Sequence, residues 1–183
     1  MLSAGPHHMN IEPVSSIEEV AALLAENALP IADISASSAL QFFGIRNGGN
    51  LAAVVGVELY PPFGLLRSLA VRPSFRKRGL ARELVLFAES RSAAQGAETL
   101  FLLTTTAHRF FLGLGYSPAS RDEAPSAIRA TSQFSSLCPA SSAFLSKRIA
   151  VRANTALQGA FHAFTSSPFL LEGAPWCCCP PVT

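Results

Sequence analysis

The fold is decided by Leu65-Leu66-Arg67-Ser68-Leu69-Ala70-Val71-Arg72-Pro73-Ser74-Phe75-Arg76-Lys77-Arg78-Gly79-Leu80-Ala81, an apolar strand that runs into a basic, glycine-bearing turn and opens a helix. The first turn of a helix carries backbone N–H groups without intrahelical partners and about half a positive charge, so a strand, turn and helix in this order make an anion site. Gly79 and Ala81 keep bulk away from those amides, while Arg76, Lys77, Arg78 and Arg82 add positive field. A solvated basic loop before an amphipathic helix has the same composition, and the elements on either side decide between the two.

Towards the N-terminus, Ser16-Ile17-Glu18-Glu19 spells a capping box, and Ile17, Val20, Ala21 and Leu24 recur at helical spacing. A helix to about Asn27 is expected, stopped by Pro30 and preceded by a strand-like stretch after Met9. Gln41 to Arg46 and Leu51 to Tyr60 are strand-length apolar runs joined by Asn47-Gly48-Gly49-Asn50, which is hairpin chemistry because these residues tolerate positive φ. Pro61-Pro62 ends the second run, and Phe63 to Val71 is the next antiparallel strand.

Beyond the basic turn, Leu80, Leu84, Phe87 and Ala88 share one face of a helix that runs to about Ala94 and stops at Gly96. Thr99 to Thr104 is nearly continuous in apolar residues, as expected of a strand buried on both faces. A short helix from Ala107 to Leu114, another from Ala124 to Phe134 and a last strand from Ser142 to Ala150 complete the order. The fold class is therefore α/β with a single mixed sheet and helices on its faces.

A chain of 183 residues is most simply one domain with tails. Hydrophobic residues make up 49% and charged residues 14%, which favours a packed globule over disorder. The net charge of +2 does not by itself imply a nucleic-acid or membrane partner. No run reaches the roughly 20 apolar residues of a membrane span and the N-terminus lacks a signal peptide's apolar core, so a cytoplasmic protein is expected. Three of the four cysteines are consecutive, Cys177 to Cys179, which suits neither a disulfide framework nor a zinc site, and no metal is expected. Residues 1–8 are set aside as a tail or remnant, 9–150 form the domain, and 151–183 are an appended segment whose role, packing or association included, stays open.

Arg-x-x-Gly-x-Ala at Arg76 to Ala81, set after the strand end Leu69-Ala70-Val71-Arg72-Pro73, resembles the acetyl-CoA signature of the GNAT superfamily of N-acetyltransferases. The resemblance covers about residues 10–150. It implies a mostly antiparallel sheet whose central pair of strands, Phe63–Val71 and Thr99–Thr104, splays apart to admit the thioester. Acetyl-CoA would be the co-substrate, with its pantetheine arm bonded by the backbone of Leu69 and Val71. Its pyrophosphate would be held by the turn Arg76, Lys77, Arg78, Gly79, Leu80 and Ala81, with amides from Lys77 to Ala81 facing the phosphates.

In many members of that family the later signature reads Asn-x-x-Ala-x-x-x-Tyr-x-x-x-Gly-Phe, with the tyrosine as acid for the leaving thiolate. Here those positions are Thr104, Ala107, Phe111, Gly115 and Tyr116, and phenylalanine donates no proton. Replacement candidates are Thr104, Thr105, Thr106, His108 or water, since a CoA thiol leaves without much help. Glu58 is a candidate to accept the amine proton or orient the amine, or else it faces solvent; strand alternation alone does not choose. Arg67, in an apolar strand, must reach solvent, a carboxylate or an acceptor's anion.

The stretch from Arg121 to Ala143, together with Leu103-Thr104-Thr105-Thr106-Ala107 and Phe110-Phe111, is similar to the arsenic-resistance branch of N-acetyltransferases. That branch is similar in turn to amino-acid acetyltransferases of the N-acetylglutamate synthase type. Arg129 either pairs with an acceptor carboxylate through its fork or is an exposed helix arginine. Cys138 is either a buried small apolar residue or a soft ligand.

The activity so implied is transfer of acetyl from acetyl-CoA to the amine of an amino acid or amino-acid-like toxin, arsenic-bearing ones included. The partner is then a small-molecule amine, with no nucleic acid or membrane, and with a homodimer left open. The alternative is an acyl-CoA-binding module without turnover.

Overall fold

The chain runs β1 (Ile11–Pro13), α1 (Ile17–Glu26), β2 (Leu40–Asn47), β3 (Asn50–Tyr60), β4 (Phe63–Val71), α2 (Leu80–Ala94), β5 (Thr99–Thr104), α3 (His108–Leu112), β6 (Ser117–Pro118), α4 (Ser126–Arg129) and β7 (Ala143–Arg148). These form one sheet in the order β1-β2-β3-β4-β5-β7-β6 in the computed structural model, which describes residues 10–35 and 37–149. The expected tail at 1–8 and the appended segment 151–183 lie outside the described residues. Neighbouring strands are antiparallel except β4 and β5, which are parallel.

Local chemistry accounts for most of these boundaries. The Ser16 side chain accepts the Glu19 N–H at 3.3 Å, so α1 starts where the capping box places it. The Glu19 carboxylate is bound by Arg46 of β2 instead of reaching back to the cap. Gly48 and Gly49 have φ of +56° and +84°, the positive pair that a two-residue hairpin of the right twist requires. The N–H of Gly96, itself at φ +88°, bonds Ala93 and closes α2.

One expected helix is replaced. Residues Ala124 to Phe134 do not form a single helix: α4 has four residues, and a wide π-type turn, Gln133–Leu137, follows it. Thr131 is the reason. Its hydroxyl donates to the Ile128 carbonyl at 2.7 Å and its own carbonyl accepts the Ser135 hydroxyl at 2.9 Å, side-chain bonds that compete with a regular helical ladder. The two-residue strand β6, which has no periodicity to betray it, pairs with Ser146 and Leu145 of β7.

Helices cover both faces of the sheet. On one, Leu80, Leu84, Val85 and Ala88 of α2 pack with Phe43, Val55, Leu66, Leu100 and Leu102. On the other, Val20, Leu23 and Leu24 of α1 pack on Phe42, Val54 and Ala70, while Ile128 of α4 packs on Leu65, Phe101 and Phe144. Among the described residues no helix is long and apolar enough to cross a membrane.

Because Leu84 has no exposed surface, Leu84→Ala leaves a cavity in the layer that fixes α2 on the sheet. It should cost about 2–5 kcal/mol in a urea denaturation series.

Candidate active site

Strands β4 and β5 pair over three positions only, Phe63 with Thr99, Gly64 with Leu100 and Leu65 with Phe101. Beyond Leu65 they diverge, and the edge of β4 from Leu66 to Val71 has no strand beside it on that side. Opposite, β4 carries a bulge: between Gly56 paired with Arg67 and Val54 paired with Ala70, one β3 residue faces two on β4, Ser68 and Leu69. Ser68 has φ +54°, a conformation costly for a residue with a Cβ, and such a bulge re-aims the strand.

A cavity of about 400 Å³ fills the divergence. Leu66 to Leu69 of β4, Leu102 to Thr104 of β5, Thr105, Thr106, Ala107 and Phe111 line it, together with Ala28 to Pro30. The rest comes from Gln133, Leu137, Cys138, Pro139 and Ser142. A second hollow of about 210 Å³ is lined by Val71, Phe75, Arg76, Lys77, Gly79, Leu80, Ala81, Arg82 and Phe110. The two hollows follow one another along β4, the first at Leu69 and the second at Val71, and likewise at Phe111 and Phe110.

The second hollow lies at the turn where the sequence places an anion cradle. Lys77 and Gly79 both have positive φ, +63° and +85°, which turns the backbone sharply into α2 with Gly79 as its N-cap. A Cβ at Gly79 would meet nothing within 4 Å, so the glycine is required by its φ and by the room it leaves over the first-turn amides. Arg76 is drawn aside to the Asn27 side chain at 2.8 Å and the Val71 carbonyl at 3.2 Å, and Arg78 lies 4.9 Å from the centre of the Phe75 ring.

The register answers the question left open at Glu58. Glu58 pairs with Leu65, so its side chain shares a face with Leu65 and Arg67, and it is 3% exposed. Arg67 donates from Nη1 to Glu58 Oε1 and, at 2.7 Å, to Asp33 Oδ2; its Nη2 donates to Asp33 Oδ1, and Nε to the Ser68 hydroxyl at 3.4 Å. The Tyr60 hydroxyl donates to Glu58 Oε2 at 2.8 Å. Burial works against the Arg67 charge, but the two carboxylates outweigh it and raise the pKa. Tyr60 is raised too, first by burial.

Glu58 is not among the residues lining the cavity, and its two oxygens accept from Arg67 and Tyr60. Arg67 does line the cavity, and its charge faces the two carboxylates of Asp33 and Glu58. Asp33 and Tyr60 had no motif to mark them.

Arg129 is exposed on α4 and is not among the residues lining the cavity. His108 likewise stands outside it. Thr104 is at the cavity, and its Oγ1 accepts the Ala107 N–H at 2.9 Å, leaving its own proton to donate. Phe111 packs edge-to-face on Tyr116 with ring centres 5.5 Å apart. Burial, and after it the nearby Glu89 carboxylate, hold the Tyr116 hydroxyl well above its ordinary pKa, and Tyr116 is not among the residues lining the cavity.

The splayed pair, the cradle and the cavity between them are matched by sequence: the profile of the acetyltransferase (GNAT) family fits residues 12–116. The chain belongs to that family. It is 33% identical over 121 residues to an amino-acid acetyltransferase of Ectopseudomonas mendocina, covering 64% of this chain and 27% of that one. A protein of the same name from Pseudomonas syringae pv. syringae is 38% identical over 91 residues, 48% of this chain and 21% of that one. The chain thus spans about a quarter of the length of these relatives.

Among solved structures, N-acetylglutamate synthase from Neisseria gonorrhoeae complexed with coenzyme A and N-acetyl-glutamate superposes with a TM-score of 0.61 at 22% identity, over 77% of this chain and 35% of that one. An acetyltransferase of the GNAT family from Staphylococcus aureus gives 0.61 at 16% identity, over 78% and 99%. Both likenesses speak to the fold.

Replacing Arg67 alone strands two buried carboxylates. Arg67→Met should therefore cost about 3–5 kcal/mol, while adding Asp33→Asn and Glu58→Gln to it should recover much of the loss in the same denaturation measurement.

Proposed function

We propose that the protein transfers the acetyl group of acetyl-CoA to the primary amine of a small amino acid or an amino-acid-like compound. The observation that carries this reading is the continuity of the two hollows along the unpaired edge of β4. An anion cradle at Gly79 to Ala81 and an acceptor-sized cavity at Leu66 to Leu69 are joined by a strand edge that offers backbone bonds to an extended thioester. In this reading the backbone of Leu69 and Val71 holds the pantetheine arm, and the turn from Arg76 to Ala81, with its first-turn amides, holds the pyrophosphate.

The neutral amine attacks the acetyl carbon, a C–N bond forms as the C–S bond breaks, and the amine proton leaves to water in the open cavity. The thiolate takes a proton from water, and the Thr104 hydroxyl stabilises it by a hydrogen bond while its own oxygen is fixed by the Ala107 N–H. Arg67 keeps one N–H, on Nη2, for a neutral hydrogen-bond acceptor on the bound amine. The amino-acid class is supported by the names of the relatives, and amino-acid analogues carrying arsenic belong to the same class by the resemblance of Arg121 to Ala143.

Phe111 at the cavity, in place of an acid, favours one other reading, an acyl-CoA-binding module without turnover. A thiol-release assay with acetyl-CoA over amino acids, their arsenic and phosphorus analogues and polyamines, run beside calorimetric titration of CoA, separates the two. Acetyl transfer predicts release with one acceptor class. CoA binding with no release on any amine would favour the module, and failure to bind CoA would refute both.

A second outcome follows from the position of Glu58. The rise of kcat/KM with pH should track the acceptor's own amine and keep its shape in Glu58→Gln. Loss of the acidic limb in that variant would restore Glu58 as the base.

A further inference from the structure

Four buried side-chain atoms among the described residues lack a hydrogen-bond partner, and two of them, Arg121 Nη1 and Ser142 Oγ, lie at the segment that forms one wall of the larger cavity. Arg121 braces that wall from behind. Its Nη2 donates to the Phe134 carbonyl at 3.1 Å, and its guanidinium lies 4.5 Å from the centre of the Phe134 ring. Gln133, Leu137, Cys138, Pro139 and Ser142 of the same segment face the cavity.

The contrast with Arg67 is in the counter-charge. Arg67 is held by two carboxylates, whereas Arg121 enters no ion pair among the described residues, and its chain neighbours Asp122 and Glu123 are exposed. A guanidinium with a buried nitrogen and no counter-ion is costly to keep, and the cost is lowered when an anion comes near. Its charge is felt through the wall. Burial pushes the Cys138 thiol up, and against that the pull of Arg121 comes first, ahead of Arg67.

We propose that Arg121 is a specificity-determining residue: acting through the wall of residues 133–142, its uncompensated charge makes that end of the cavity favour an acceptor amine with an oxyanion at its far end over the same amine with a neutral amide there. The inference rests on the cavity being the acceptor site of the reaction proposed above. Arg121 is a positioning residue in this scheme, since the groups exposed to the acceptor are those of the wall. Gln133 is the polar member of that set best placed to bond the oxyanion, because its Oε1 already accepts from the Cys138 thiol at 3.5 Å and its amide N–H groups remain.

The test uses the full chain saturated with CoA and measures equilibrium binding of glutamate against glutamine, an isosteric acid and amide, in the wild type, Arg121→Gln and Arg121→Lys. The wild type should prefer the acid. Arg121→Gln should cut that preference about tenfold, the order expected for a unit charge about 12 Å from the anion at an effective dielectric near 20. Arg121→Lys, which keeps the charge and loses the fork to Phe134, should retain most of the preference.

Equal weakening of acid and amide, an unchanged preference in Arg121→Gln, or binding of neither by the folded wild type would each overturn the proposal. Should Arg121→Gln fail to fold, Cys138→Asp sets a carboxylate in the same wall and should depress the acid selectively; a shared loss for acid and amide would count against the proposal. The preference is read from binding, so its presence without CoA release would refute acetyl transfer and leave the subsite standing.

Discussion

The three-residue limit on pairing between β4 and β5 is the constraint from which the site follows. A parallel pair closed along its whole length would fill the sheet's centre with ladder hydrogen bonds and leave no opening. Stopping at Leu65 and Phe101 frees the edge of β4 while the lower half of the pair still ties the two sides of the sheet together. The bulge at Ser68 and Leu69 works to the same end from the β3 side, since an extra residue on β4 turns the strand as it passes the cavity.

The buried cluster of Asp33, Glu58, Arg67 and Tyr60 belongs to this arrangement. Arg67 is one residue from the bulge and two beyond the last paired position, where the sheet has lost one of its neighbours. Two carboxylates from separate elements, the loop after α1 and β3, converge on its guanidinium. The cluster joins that loop to the sheet beside the cavity, and Ala28 to Pro30 of the same connection form part of the cavity wall. A buried ion pair is a weak source of net stability, because desolvating the charges offsets much of their attraction. Arg121, by contrast, has among the described residues a carbonyl and an aromatic face, both of Phe134, and no carboxylate.

Much of this was legible in the chain. Helix and strand boundaries followed from caps, glycines and prolines whose effect is local: Ser16, Gly48-Gly49, Pro61-Pro62 and Gly96 each act on the residues next to them. The turn into α2 was legible for the same reason, because positive φ at a glycine and unpaired amides at a helix start are properties of a short segment. The helix predicted over Ala124 to Phe134 failed where Thr131 and Ser135 bonded to the backbone, a competition that apolar periodicity does not register.

What the sequence by itself determined, then, was the order of elements, their mixed α/β class and the glycine-bearing turn of Arg76 to Ala81 into α2. The tertiary structure alone decided which way Glu58 points, that Asp33 and Tyr60 join it around Arg67, and that Arg129 stands outside the cavity while Gln133, Cys138 and Ser142 line it. The physical reason is separation along the chain. Register across β3 and β4 sets the face of Glu58, and contacts such as Asp33 with Arg67 span 34 residues, so no local propensity encodes them.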